Sequence, residues 1–118
     1  MNRLAAVAAL TGFLTVALGA FGAHALEGGF SAEQMDWWKT ATLYALVHSV
    51  AAYAIGLSGR TGLLRGGGWA FVVGTVIFAG TLYALALGAP RWAGAITPVG
   101  GLSLLAGWLM CAWGAIKR

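Results

Sequence analysis

The chain has 118 residues, of which 60% are hydrophobic and 8% charged, with a formal net charge of +4 at pH 7. A soluble domain carries about 25% charged residues to cover its surface, so this composition argues against an aqueous fold and makes lipid the solvent of most side chains. The basic residues cluster at the ends of apolar runs, with no basic stripe interleaved with aromatics, which argues against a nucleic-acid partner.

The first predicted element is an uncharged apolar run from about Leu4 to Leu26, longer than the roughly 20 residues a helix needs to cross the hydrocarbon core. Ala5, Ala8, Gly12, Thr15, Gly19 and Gly22 recur along it at spacings of three and four. They form a seam of small side chains that lets a neighbouring helix come close. Arg3, this run and Ala23-His24-Ala25 also have the form of a cleavable secretory leader. A discarded leader has no use for a packing seam, so the run is expected to stay as a span.

A helix over 32–58 follows. Ser31 and Gln34 have capping-box spacing, Glu33 and Asp36 fall where the helix dipole favours acids, and Trp37 and Trp38 mark the membrane interface. Lys39 lies near the edge of the span. The third span is predicted over 68–88, with Ala70, Gly74, Thr81, Ala84 and Gly88 on one line and Gly66-Gly67-Gly68 read as the turn before it. The fourth is predicted over 93–116, with a seam of Gly100, Ser103, Gly107, Cys111 and Gly114. Pro98 has no backbone donor, so with Gly100 and Gly101 it predicts a kink or local unwinding there.

The expected fold is therefore an all-α membrane protein, a single antiparallel four-helix transmembrane bundle with short connections. Arg3, Arg60, Arg65, Lys117 and Arg118 would share one side, against Lys39, Arg91 and the three acids Glu27, Glu33 and Asp36 on the other. The positive-inside rule then puts both termini in the cytoplasm.

His48 lies eleven residues in from Trp37, a depth of roughly 16 Å, near the midplane and level with Thr15 and Ser103. Charge is costly there. It reads either as a proton relay or substrate ligand, or as an interhelical hydrogen bond that fixes helix rotation. No acid stands in any span to complete a relay, which favours the second reading. Thr40, Tyr44, Thr81, Tyr83 and Thr97 fall in the outer half of their spans and, with His24 and the Pro98 break, form a candidate lining for a polar cavity. The cheaper reading is that these hydroxyls bond to their own backbone. The vertical offset between His24 and His48 argues against a shared haem or metal, and the lone Cys111 supplies neither a disulfide nor a ligand pair. Trp69, Trp92, Trp108 and Trp113 read as interface anchors or lipid-facing bulk. No Ser-His-Asp set, buried carboxylate pair or phosphate loop is present, so no cofactor and no enzyme activity are expected.

Gly19-Ala20-Phe21-Gly22-Ala23-His24, Tyr44 with His48, Phe78-Ala79-Gly80-Thr81-Leu82-Tyr83, Thr97-Pro98-Val99-Gly100-Gly101 and Gly107-Trp108 occur in this order. The series resembles the family catalogued as domain of unknown function 423. The resemblance spans nearly the whole chain and implies a four-helix protein of the bacterial inner membrane or of mitochondria, with no activity to carry over. Ala45 departs from the family pattern, in which Gln or His is common, and so shortens any relay through Tyr44 and His48. The functional expectation is a non-enzymatic packing protein among membrane lipids, a homo-oligomer or a subunit of a larger complex. The alternative is a small transporter, channel or lipid-binding protein that uses the outer polar cavity and His48.

Overall fold

The computed structural model describes residues 1–26 and 28–117; Glu27, expected on the acidic side, and Arg118, expected on the basic side, lie outside the described residues. Four long helices carry the fold: α1 Arg3–Phe21, α2 Ala32–Ser58, α3 Leu63–Ala86 and α4 Thr97–Lys117. A π-helical turn, Gly22–Leu26, extends α1, and a 3₁₀ segment, Arg91–Ala95, precedes α4. Each of the four is long and apolar enough to cross a membrane, and no strand occurs among the described residues. The long dimension of the molecule, 49 Å, compares with about 40–45 Å for a bilayer with its headgroups.

Local chemistry sets the helix ends. Asn2 caps α1 by accepting from the Ala5 amide at 3.1 Å, while its own side-chain N–H donates to the Gly56 carbonyl at 2.8 Å. One residue thus starts α1 and ties it to the end of α2. Ser31 and Gln34 form a reciprocal capping box at the start of α2, which satisfies two amides that a helix start leaves unpaired. Gln34 also donates to the Ala86 carbonyl at the end of α3. At the other end of α2, Gly59 takes the left-handed conformation, φ +69°, which a side chain would resist.

α2 and α3 form a central pair, with α1 leaning on α2 and α4 on α3. Adjacent residues of α2 show the division: Ser49 bonds to Thr11 of α1, and His48 bonds to Trp108 of α4. Successive helical residues point about 100° apart, so α1 and α4 meet different faces of α2. Leu4, Ala8, Ala52, Phe71, Val72 and Leu104 form a core toward the end that holds Arg60 and Lys117. Ala41, Ala45, Ala79, Leu82, Leu85 and Ala93 form a second core toward the end that holds Arg91.

Small residues decide where backbones close. A Cβ on Gly56 would stand 2.8 Å from the Ala5 amide nitrogen, one on Gly19 3.1 Å from Thr42, and one on Gly22 would overlap the Trp38 indole. The α1 seam is therefore used up against α2. The α4 seam is used up against α3: a Cβ on Gly100 would stand 2.8 Å from the Cα of Phe78, and one on Gly107 3.1 Å from the Gly67 carbonyl.

Three sequence expectations need correction. Gly66-Gly67-Gly68 is not a turn but lies inside α3, which starts at Leu63. Each glycine costs a helix about 1 kcal/mol relative to Ala, but here the missing side chains admit Met110, Cys111 and Leu4, which would stand 2.7–3.0 Å from added Cβ atoms. Close packing offsets propensity. Gly88 is not on the α3 seam, because the helix ends at Ala86 and Gly88 turns the chain with φ +108°. The unwinding near Pro98 lies before it, in the 3₁₀ segment, and Pro98 falls in the first turn of α4. There the absent N–H would have lacked a helical partner in any case. Gly100 and Gly101 are regular helix.

Candidate functional site

His48 is buried at 6% exposure between the two cores. Its Nδ1 lies 2.7 Å from the Tyr44 carbonyl, and the indole N–H of Trp108 donates to its Nε2 at 3.0 Å. An indole nitrogen can only donate, so Nε2 must hold its lone pair and Nδ1 the proton. The geometry therefore holds the ring as the neutral Nδ1–H tautomer. Phe71 and Trp108 meet the imidazole edge-on at centroid distances of 5.2 and 5.8 Å, and Tyr44 stacks at 6.0 Å with an interplanar angle of 10°. Both ring nitrogens are spent, one on its own helix and one on a tie from α2 to α4.

Of the other candidate residues, Tyr44, Pro98 and Gly101 line the same hollow as His48, and the rest lie apart. Thr81 pairs with Thr97 at 2.6 Å and joins α3 to α4. Tyr83 pairs with Thr42 at 2.7 Å and joins α3 to α2. Ser103 donates to the Ala70 carbonyl at 2.8 Å, again between α4 and α3. His24 is exposed on the π-helical turn, with no side-chain hydrogen bond among the described residues. Thr40 is exposed on α2. Thr81, Thr97, Tyr83 and Ser103 are thus engaged in separate helix-to-helix bonds rather than gathered in one polar cavity. Of the buried polar side chains, Ser49 pairs with Thr11 of α1, Thr15 donates to the Thr11 carbonyl of its own helix, and only the hydroxyl of Thr75 has no partner among the described residues. No cluster of three or more potential metal ligands occurs among the described residues.

Where hollows exist, they lie between helices and open sideways. α2 and α4 both pack on α3 but barely on each other, and between them runs a groove in two contiguous parts that share Phe78 and Pro98. The deeper part, about 650 Å³, is walled by Tyr44, Leu102, Leu105 and Trp108 and reaches His48. The shallower part, about 360 Å³, leads past Leu82 and Thr97 to Trp37 and Arg91 at the bundle end. Leu102, Leu105 and Trp108 are 66%, 62% and 47% exposed, so the groove faces the surroundings rather than a closed interior. Arg91 makes one long ion pair, 4.0 Å to Glu33, with both side chains largely exposed. Such a pair contributes at most about 1 kcal/mol. A separate hollow of about 480 Å³ lies between α1 and α2, beside Gly19, Lys39 and Leu46.

Sequence reasoning read Trp108 as interface or lipid-facing bulk, which fits its 47% exposure, but missed its bond to His48. It also passed over Thr42 and Ser49, and took Trp38 only as an interface marker. Trp38 donates to the Leu18 carbonyl at 2.8 Å across the α1–α2 interface. The available signal was position, since Trp38 and Thr42 share the helix face of Ala41 and Ala45.

The model for the DUF423 proteins of unknown function matches residues 18–101. The chain is 44% identical over 111 residues to the UPF0382 membrane protein SSP2132 of Staphylococcus saprophyticus, covering 92% of each. It is 42% identical over 113 residues to the UPF0382 inner membrane protein YgdD of Escherichia coli, covering 93% of this chain and 86% of that protein. No solved structure matches it. With the match covering most of the α-helical bundle, from the last turn of α1 into α4, the chain belongs to the DUF423 family of membrane proteins.

Proposed function

We propose that this chain is a non-enzymatic protein of the bacterial inner membrane that works by association within the bilayer plane, as a homo-oligomer or an accessory subunit of a larger membrane complex. In this reading the bundle is antiparallel with both termini cytoplasmic. Supporting contacts pair Ala5 with Gly56 at one end of α1–α2 and Gly22 with Trp38 at the other, and the described basic residues outnumber acids at the Lys117 end. The inner-membrane placement draws on the printed name of the E. coli relative.

One observation carries the functional reading. The buried polar groups, Thr75 apart, are bonded between or within helices, while the hollows are lined mostly by hydrocarbon and open sideways. Polar groups spent on holding helices together are not free to line a path for a solute. What the molecule offers its surroundings is lateral apolar surface, and in a membrane this is covered by helices or lipid. Transport through a His48 relay has less support, because both ring nitrogens are engaged.

Native mass spectrometry of protein extracted in mild detergent tests the reading. Oligomers or a reproducible co-purifying membrane subunit are expected. A clean monomer without partners, together with solute flux in liposomes that falls in His48→Ala, would transfer the assignment to transport.

A further inference from the structure

The α2–α4 groove has a polarity gradient along its length. At one mouth stand Arg91 and Trp37, at bundle-end depth; the walls then become apolar, and the His48–Trp108 bond closes the floor. From Trp37 to His48 is eleven residues of α2, about 16 Å of helix rise. One leaflet of a bilayer has a hydrocarbon depth of about 15 Å, half of the roughly 30 Å core. The groove thus matches a single leaflet in length, with its one cation where headgroups lie. Arg91 is spent on nothing stronger than a 4.0 Å exposed pair with Glu33, and a guanidinium is the side chain best shaped to hold a phosphate.

We propose that the α2–α4 groove binds one phospholipid from the leaflet at the Arg91 end, with its phosphate on Arg91 and one acyl chain laid along α4 as far as the His48–Trp108 bond. Charge complementarity at the mouth and length complementarity along the wall select this occupant over a second copy's helix, which brings no anion to Arg91 by necessity. Pro98 and Gly101 make the α4 wall shallow where the chain passes, and Phe78 of α3 forms the bed beneath it. This goes beyond the proposed lateral association and does not require it.

Delipidated protein in detergent, titrated with palmitoyl-oleoyl phosphatidylglycerol and followed by native mass spectrometry, tests the site. One lipid per chain is expected to survive, with the diacylglycerol of the same chains held more weakly. Arg91→Gln removes a charge-assisted contact and is expected to lower phosphatidylglycerol affinity about tenfold without changing diacylglycerol binding. Arg60→Gln, at the opposite end, is expected to change nothing. Gly101→Leu fills the groove from α4; its Cβ meets only the Phe78 ring, at 3.8 and 3.9 Å, and the folded variant is expected to lose the lipid. Equal binding by Arg91→Gln and wild type overturns the proposal, and so does retention of the lipid by folded Gly101→Leu. Oligomers that form with no lipid retained would mean that a second copy fills the groove, leaving lateral association standing and this site refuted. Lipid held by a monomer would do the reverse.

Discussion

Trp38 and Trp108 do the same job at two different interfaces, each donating an indole N–H across from one helix to another. Trp38 is 3% exposed and boxed in by Tyr83, Phe30 and Phe21 at centroid distances of 4.5, 5.8 and 6.4 Å. Trp108 is 47% exposed, with Phe71 and His48 on one side and the groove on the other. The difference comes from what stands opposite. Gly22 and Gly19 let α1 settle onto α2 around Trp38, whereas Trp108 stands on the wall of the groove that Tyr44 and Phe78 also line. In lipid, where no hydrophobic force draws helices together, glycines let α1 cover Trp38, with a hollow of about 480 Å³ left beside it, while the α2–α4 groove leaves Trp108 half exposed.

The strongest way to break that comparison is at Gly100, where α4 touches α3 backbone to backbone. A methyl there meets the Phe78 main chain, which cannot swing aside as a side chain can. Gly100→Ala is expected to cost about 3 kcal/mol, the upper range for overpacking, read as a shift in denaturant unfolding in mixed micelles. An unchanged midpoint would mean that α3 and α4 are not in this register.

Next in size are the two tryptophans. Trp38→Phe loses its bond to Leu18 and leaves space in an enclosed box, an expected cost of about 2 kcal/mol. Trp108→Phe strands the Nε2 of His48 beside an open groove, an expected cost of about 1 kcal/mol. A double-mutant cycle between Trp108→Phe and His48→Phe isolates their coupling. Zero coupling would remove the bond from the account, and equal costs at the two tryptophans would erase the contrast between them.

The smallest effect is the most selective. Gly101, next to Gly100, faces only the Phe78 ring at ordinary contact distance. Gly101→Ala is therefore expected to stabilise the helix by about 0.5 kcal/mol, opposite in sign to its neighbour.

These neighbouring glycines also show how far the sequence could be read. The α1 seam was legible because Ala5, Gly12, Gly19 and Gly22 share a helix face whatever they touch, and the Ser31–Gln34 cap because it is local. Gly66-Gly67-Gly68 was misread because propensity is local too, while the Leu4, Met110 and Cys111 side chains that need the space come from distant segments. The restart of the helix at Thr97 moved Pro98 from helix interior to first turn, a shift that composition cannot reveal. The position of His48 along α2 could be counted from the rise per residue, but its partner could not, because Trp108 comes beside it only after α3 and α4 have packed. The polar cavity was inferred from shared depth alone, and depth says nothing of which way a hydroxyl points.

The central claim is that α1 buries Trp38 while the α2–α4 groove leaves Trp108 open to lipid. It is tested most directly by fluorescence of two single-tryptophan variants, retaining Trp38 or Trp108 with the other tryptophans replaced by Phe, in bilayers of phospholipid brominated at successive acyl-chain depths. The account predicts strong quenching of Trp108 by mid-chain bromines and little quenching of Trp38 at any depth. Equal quenching of the two, or a Trp108 that no bromine reaches, would contradict it.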